Sequence, residues 1–140
     1  MGAAPSLTGV LEAALYADDL EAAAGFYGGV LGLPQIMRQE GRHVFFRCGS
    51  TIVLVFRAEA TRQPAAFGAL AVPSHGSVGA GHICFVAERD ELDLWSTRLK
   101  ANGIEIEADF EWPDGARSVY VRDPAGNSVE FAEARMWKWE

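Results

Sequence analysis

Val10-Leu11-Glu12-Ala13-Ala14-Leu15-Tyr16-Ala17-Asp18-Asp19-Leu20 is a strand-like run that passes straight into a helix start. Val10 to Ala17 is apolar at nearly every position. Asp18-Asp19 then supplies an N-cap and an acid for the first helical turn. Leu20, Ala23, Ala24, Tyr27 and Leu31 follow at three- and four-residue steps, which predicts a helix with one buried face. Gly32 is placed to end it as a C-cap. Three extended runs come next, at Leu33 to Arg38, Arg42 to Cys48 and Thr51 to Arg57, the last two joined by a tight turn at Gly49-Ser50.

The same order returns in the second half. Gly81 to Ala87 is an apolar strand, and Asp90 is expected to cap a helix with Leu92, Trp95 and Leu99 on one face, closed by Gly103. Strand-like runs recur at Ile104 to Phe110, Ser118 to Arg122 and Ser128 to Ala132. Asp123-Pro124-Ala125-Gly126-Asn127 joins the last two, with Pro fixing one turn residue and Gly-Asn supplying positive φ. Each half is therefore predicted as βαβββ, and an internal repeat is the most informative property a chain of this size has. Between the halves, Ala58 to Ala80 is rich in Ala, Pro, Gly and Ser and lacks periodicity, as either a flexible linker or an active-site lid would.

Composition sets outer limits. The 140 residues are 49% hydrophobic and 22% charged, the profile of one globular domain. Lys and Arg number 12 against 19 Asp and Glu, a formal charge of −7, and no basic cluster is present. Nucleic acid and anionic membranes are therefore poor partners. No stretch is long and apolar enough to span a bilayer, and Met1 to Ser6 lacks the pattern of a secretory signal, so a cytoplasmic location is expected. Cys48 and Cys84 form no Cys-x-x-Cys pair and are expected to be small buried hydrophobes rather than zinc ligands or a disulfide.

Strand side chains alternate between faces, so a charged residue in an apolar strand must point to a cleft, to solvent or into costly burial. Glu12, His82 and Glu130 are three such residues. Glu12 and His82 occupy the same place in their two halves, at the start of the strand that precedes the capped helix, and Glu130 lies in the last strand. If the halves pack as a pseudo-symmetric pair, the three converge. Two carboxylates and an imidazole suit a divalent first-row ion (Fe, Mn, Ni, Co or Zn), whose charge the carboxylates would offset. Singly, each has a plainer reading: a solvent-facing edge residue, a hydrogen-bonded core histidine, a surface carboxylate.

Asp19-Leu20-Glu21 to Phe26-Tyr27, then Val30-Leu31-Gly32-Leu33, Gly81-His82-Ile83, and Tyr120-Val121-Arg122-Asp123-Pro124-Ala125-Gly126-Asn127 to Glu130 together resemble the vicinal oxygen chelate superfamily of glyoxalases, fosfomycin-resistance enzymes, extradiol dioxygenases and bleomycin-resistance proteins. The resemblance runs from about Gly9 to Glu133. It implies an α+β fold of two βαβββ modules in pseudo-two-fold arrangement, with mixed sheets curled around a metal-binding cleft. The modules would be residues 8–58 and 80–133, with 59–79 between them and 134–140 as a tail, all within one domain of residues 1–140. Carried over residue by residue, it implies Glu12, His82 and Glu130 as ligands of one divalent metal ion. The fourth ligand position of the family falls at Leu54, or at Val55 if the turn is read one residue longer, and neither binds metal. This departs from the four-ligand glyoxalase I pattern, and the Glu at position 12 departs from the His of three-ligand members.

The resemblance further implies a substrate that chelates the metal through vicinal oxygens, with the ion acting as a Lewis acid in a lyase, isomerase or ring-cleaving dioxygenase. Glu130 is the candidate base, with Glu12 an alternative, and Tyr120 a candidate hydrogen-bond donor behind the ligands or else a packing residue. Alternation puts Tyr16 on the face of Glu12, Cys84 on that of His82, and Ile52 and Phe56 on that of Leu54, an apolar wall for a small organic substrate. Arg117 or Arg122 would hold an anionic group, His75 would reach the site if the connecting segment is a lid, and His43 is expected to be exposed. The competing class is a non-catalytic antibiotic-binding protein of the bleomycin-resistance type, for which Trp112, Trp137, Trp139 and the negative charge would suit a cationic aromatic guest. Trp137 and Trp139 are otherwise packing or dimer-contact residues, and a homodimer, with module exchange as an option, is expected.

Overall fold

The computed structural model describes residues 2–137. It contains two four-stranded mixed sheets with strand orders β1-β4-β3-β2 and β5-β8-β7-β6. The first comprises β1 (Glu12–Tyr16), β2 (Gln35–Gln39), β3 (His43–Cys48) and β4 (Thr51–Phe56). The second comprises β5 (His82–Val86), β6 (Ala108–Glu111), β7 (Arg117–Arg122) and β8 (Ser128–Ala132). In each, the first strand runs parallel to the last, and the remaining pairs are antiparallel. The predicted βαβββ repeat is thus the architecture observed.

Helix α1 (Leu20–Ala24) begins where the sequence places it, with the Asp19 carboxylate accepting from Ala22 N at 2.9 Å. It continues as a π-helical turn, Gly25–Val30, and Leu31 is followed by Gly32 at φ +72°. The glycines here have a packing role as well. A Cβ on Gly28 would lie 3.3 Å from the Phe46 ring, so this turn rests directly on the sheet. Helix α3 (Arg89–Ala101) is capped two residues earlier than expected. Glu88, not Asp90, is the N-cap, in a capping box with Glu91, because the reciprocal pair satisfies two backbone donors that Asp90, already inside the helix, cannot reach.

Both helices cover the same kind of sheet face. Leu15, Val44, Phe46, Val53 and Val55 lie under Leu20, Phe26 and Tyr27, while Val119, Val121, Val129 and Phe131 lie under Leu92, Trp95 and Leu99. All belong to one hydrophobic cluster, so the helix-bearing sides of the two modules share a core. Polar bonds join them as well. The buried Tyr27 hydroxyl donates to Asp123 Oδ2 at 2.7 Å, Asn127 Nδ2 donates to Tyr16 O at 3.1 Å, and Arg98 Nε donates to Val30 O at 2.6 Å. The opposite face of each sheet is not covered by α1 or α3 and is called the open face below.

The connecting segment holds a four-residue helix, α2 (Ala58–Thr61), that lack of periodicity concealed. Beyond it the chain is irregular and exposed except at His75, whose Nδ1 is 2.7 Å from the Tyr16 hydroxyl and whose ring packs edge-on to Phe56. Residues 134–137 form a 3-10 turn, and Trp139 lies outside the described residues. No helix among the described residues is long and apolar enough to cross a membrane.

Two expectations are corrected. His43 is buried, not exposed, because the open face of module one is aromatic: its ring stacks on Phe45 at 4.1 Å and meets Phe56 edge-on at 5.8 Å. Cys84 is exposed and Cys48 half-buried, because Cys84 points to the open face, away from the helix-covered core.

Candidate metal centre

His82 opens β5 and pairs with Ser128 on β8; two residues on, Cys84 pairs with Glu130, and Glu130 pairs with Tyr120 on β7. Period-two alternation therefore puts His82, Cys84, Ser128, Glu130, Ser118, Tyr120 and Arg122 on one face, the open face of module two. His82 Nε2 and Glu130 Oε1 are 3.2 Å apart. The other atom of each group is already engaged. His82 Nδ1 lies 2.9 Å from Ser128 Oγ, and Glu130 Oε2 accepts from Ser118 Oγ at 2.7 Å, which in turn accepts from Trp112 Nε1 at 2.8 Å.

These bonds matter because Glu130 is only 4% exposed, and a carboxylate so placed is costly unless its oxygens are satisfied. Ser118 and Trp112 satisfy one of them. Glu130 Oε1 and His82 Nε2 then face the same space, the arrangement in which an imidazole and a carboxylate occupy adjacent positions around one ion, with outer hydrogen bonds fixing ring and carboxylate. An N/O donor pair of this kind fits a first-row divalent ion.

Glu12 does not join them within the chain. It is exposed, at the start of β1 opposite Ile52, and among the described residues no three His, Cys, Asp or Glu side chains gather as a ligand cluster. Its equivalence to His82 is nonetheless visible in the register, since each is the first paired residue of the parallel pair that opens its sheet. The same comparison places Leu54, flanked by Ala14 and Phe45, exactly where Glu130 stands flanked by Cys84 and Tyr120. Leu54, rather than Val55, thus holds the register position of Glu130, and it is apolar.

The surroundings keep the neighbouring acids protonated. Burial, then the Glu130 charge, pushes the Tyr120 hydroxyl up to about 12, so it acts as a donor. Cys84 is exposed as a residue, yet the strand neighbours that desolvate its sulfur, with Glu130, push the thiol up to about 12 as well. Arg122 is tied to Glu107 at 2.7 Å and Arg117 to Asp93 and Asp109, so neither arginine is free for an anion. Tyr16, Leu54 and Phe56 lie together on the open face of module one with Phe45, His43 and His75. The partners Ser118 and Ser128, and Trp112 beyond them, carry more of the site than the sequence reading assigned them. The serines share the face of Glu130 by alternation, which is the signal that could have found them.

A family model described as the glyoxalase/bleomycin resistance protein/dioxygenase superfamily matches residues 9–131. Comparison with curated proteins gave no match. Among solved structures, a lactoylglutathione lyase from Agrobacterium tumefaciens is 44% identical, with a TM-score of 0.90 over 96% of this chain and 100% of its own. A glyoxalase/bleomycin resistance protein/dioxygenase from Nocardioides is 25% identical, with a TM-score of 0.71 over 93% of this chain and 85% of its own. A fosfomycin resistance protein from Listeria monocytogenes, 19% identical with a TM-score of 0.68 over 92% of this chain and 95% of its own, shares the fold. On the strength of the matched residues 9–131 and the two-module sheets, the chain belongs to the glyoxalase/bleomycin resistance protein/dioxygenase superfamily.

Proposed function

We propose that residues 1–140 work as one two-module domain of a divalent-metal-dependent, glyoxalase-type lyase whose small substrate chelates the metal through oxygen atoms. The observation that carries this reading is the His82–Glu130 pair, with each group fixed from behind by a serine. The 44% identical A. tumefaciens protein supports lyase chemistry. His82 and Glu130 hold the ion, and Glu12 of a second copy completes the set. That assignment accounts for a Glu12 that is exposed and apart in the single chain. It also accounts for Met37 and Val86, which stand exposed on the open faces.

The ion, when bound, supplies a Lewis acid for the chelated oxygens. The chain's own groups do the rest. Ser118 holds Glu130 Oε2, so Oε1 would serve as the ligand atom or, where it is not ligated, as the acceptor of a substrate proton. Tyr120 stays protonated and donates to a substrate oxygen, and Tyr16, Leu54 and Phe56 exclude water from the opposite side.

Metal analysis of untagged protein tests this. About one first-row ion per chain is expected in the wild type, with a strong loss in His82→Ala and Glu130→Ala, a weaker one in Glu12→Ala, and a solution mass of two chains. Wild-type protein that takes up no metal after reconstitution would overturn the reading, and full retention in Glu12→Ala would remove Glu12 from the set. Turnover of methylglyoxal–thiol adducts, set against catechols and fosfomycin, then selects lyase over ring-cleaving dioxygenase. The exposed Trp112 and Trp137 favour a second reading, a sequestering protein for a cationic aromatic antibiotic. Tight antibiotic binding that survives His82→Ala and Glu130→Ala in metal-free protein would support it.

A further inference from the structure

His75 is the one half-buried residue in an otherwise exposed stretch, residues 62–80. Among the described residues, every hydrogen bond from residues 64–80 to the rest of the chain is made by it. Its amide donates to Thr61 O at 3.0 Å, and its Nδ1 lies 2.7 Å from the Tyr16 hydroxyl. The first bond closes residues 62–74 into a loop of the Ω type, with both ends on α2. Beside it, a Cβ on Gly76 would stand 2.9 Å from Arg62 Cγ and 3.2 Å from Ala58 O, so the chain is seated directly on that helix. The second bond reaches across to β1. The imidazole also meets Phe56 edge-on at 4.7 Å and Tyr16 at 5.9 Å. Phe56 is only 8% exposed on a face that neither α1 nor α3 covers, because His43, Phe45, Tyr16 and His75 surround its ring.

Away from that point the stretch has little to hold it. Phe67, Leu70, Val72 and Val78 stand open to solvent, and from Gln63 to Gly81 there is no Asp, Glu, Lys or Arg to form an ion pair. A segment with so few buried contacts opens locally at low cost, whatever the stability of the sheets beneath it. Its fixed ends are Thr61, buried in α2, and Gly81, whose N–H donates to Asn127 Oδ1 at 2.7 Å. Residues 77–80 wall a cavity of about 500 Å³, whose other walls include Tyr16, Asp18 and Ala58 of module one and Gly126 of module two. We propose that residues 62–80 form a lid over this cavity and over the aromatic face of module one, with the His75–Tyr16 contact as its single catch. The catch rests on this geometry alone; that the face beneath it borders a substrate rests on the lyase reading.

Hydrogen exchange of the full-length, metal-free protein tests it. In the wild type the His75 amide, within a peptide spanning residues 71–81, should be protected. Removing the hydroxyl in Tyr16→Phe is expected to speed its exchange about fivefold, and removing the ring in His75→Ala about tenfold or more. His75→Asn, which returns a polar atom near the Nδ1 position, should stay within about threefold of wild type. Peptides from β1, β4 and α3 should not change, nor the melting midpoint, while the fluorescence of a dye that binds bared apolar surface should rise in His75→Ala. Unchanged exchange of residues 71–81 in both Tyr16→Phe and His75→Ala would overturn the proposal. So would faster exchange that spreads into β1 and β4, or an Asn variant no better protected than the Ala one. The graded loss in protein that never takes up metal leaves the catch standing and removes the metal reading. Metal uptake with no change in exchange does the reverse.

Discussion

His43 shows how a single side chain is priced by its neighbours. Its ring fills a slot between Phe45 and Phe56, and its buried Nδ1 has no hydrogen-bond partner. Burial, and then the adjacent Arg42, hold its pKa below the usual histidine value. The fold therefore resists the proton that the unfolded chain accepts near pH 6.5. The His43 contribution is complete above that pH and is lost as pH falls toward the lower folded value. Gln39 across β2, and His75 and Tyr16 beyond Phe56, face the same cluster. The wild type should lose denaturation midpoint between about pH 7.5 and pH 5.5, and His43→Phe should flatten that loss, with equal slopes in the two proteins counting against it. The sequence pointed the other way because His43 stands next to Arg42 at a strand start, and only the ring register on β3 and β4 shows that its side chain packs among the aromatic rings of the open face. His82 and Glu130 were legible for the opposite reason: a polar residue in an apolar strand can be assigned a face by counting in twos.

At the scale of elements, strands and the first helix cap follow from local chemistry, and the departures have local causes. The segment before β5 hid a helix of four residues, too short to show a period. The Asp123–Asn127 turn was legible as a turn, but its second task was not. Asp123 is buried and accepts from Tyr27, Asn127 Nδ2 and the backbone of Ala125 and Asn127, which binds the first module's helix to the second module's last hairpin. Burial and the Asp123 charge raise the Tyr27 pKa above the usual phenol range, so the hydroxyl keeps the proton it donates. Tyr27→Phe removes one of four bonds to Asp123 and should cost about 1–2 kcal/mol in chemical denaturation, whereas Asp123→Ala, which strands several donors, should cost about 3 kcal/mol or more. Equal losses in the two variants would show that the phenol, not the carboxylate, organises the turn.

Over the whole molecule, backbone repetition and chemical repetition part company. The two sheets have the same strand order and the same parallel opening pair, yet Leu54 stands where Glu130 does, and His43 stands where Ser118 does. The repeat was legible because each half has to solve the same packing problem with the same spacing of apolar residues. The whereabouts of Glu12 relative to His82 were not, because no residue pattern within one strand reports how two sheets are set against each other. What joins the halves is instead a shared core and a handful of cross-module hydrogen bonds, none of them made by residues 63–74. The covalent link between the modules is therefore expected to add little beyond closure entropy, and the two modules to behave as complementing fragments. Co-expressed pieces cut between Ala66 and Leu70 should copurify as a folded heterodimer with the melting behaviour of the intact chain at high concentration. The closure entropy that the cut removes returns as a dependence of stability on concentration. Fragments that remain separate and unfolded would mean that the exposed segment does more than connect.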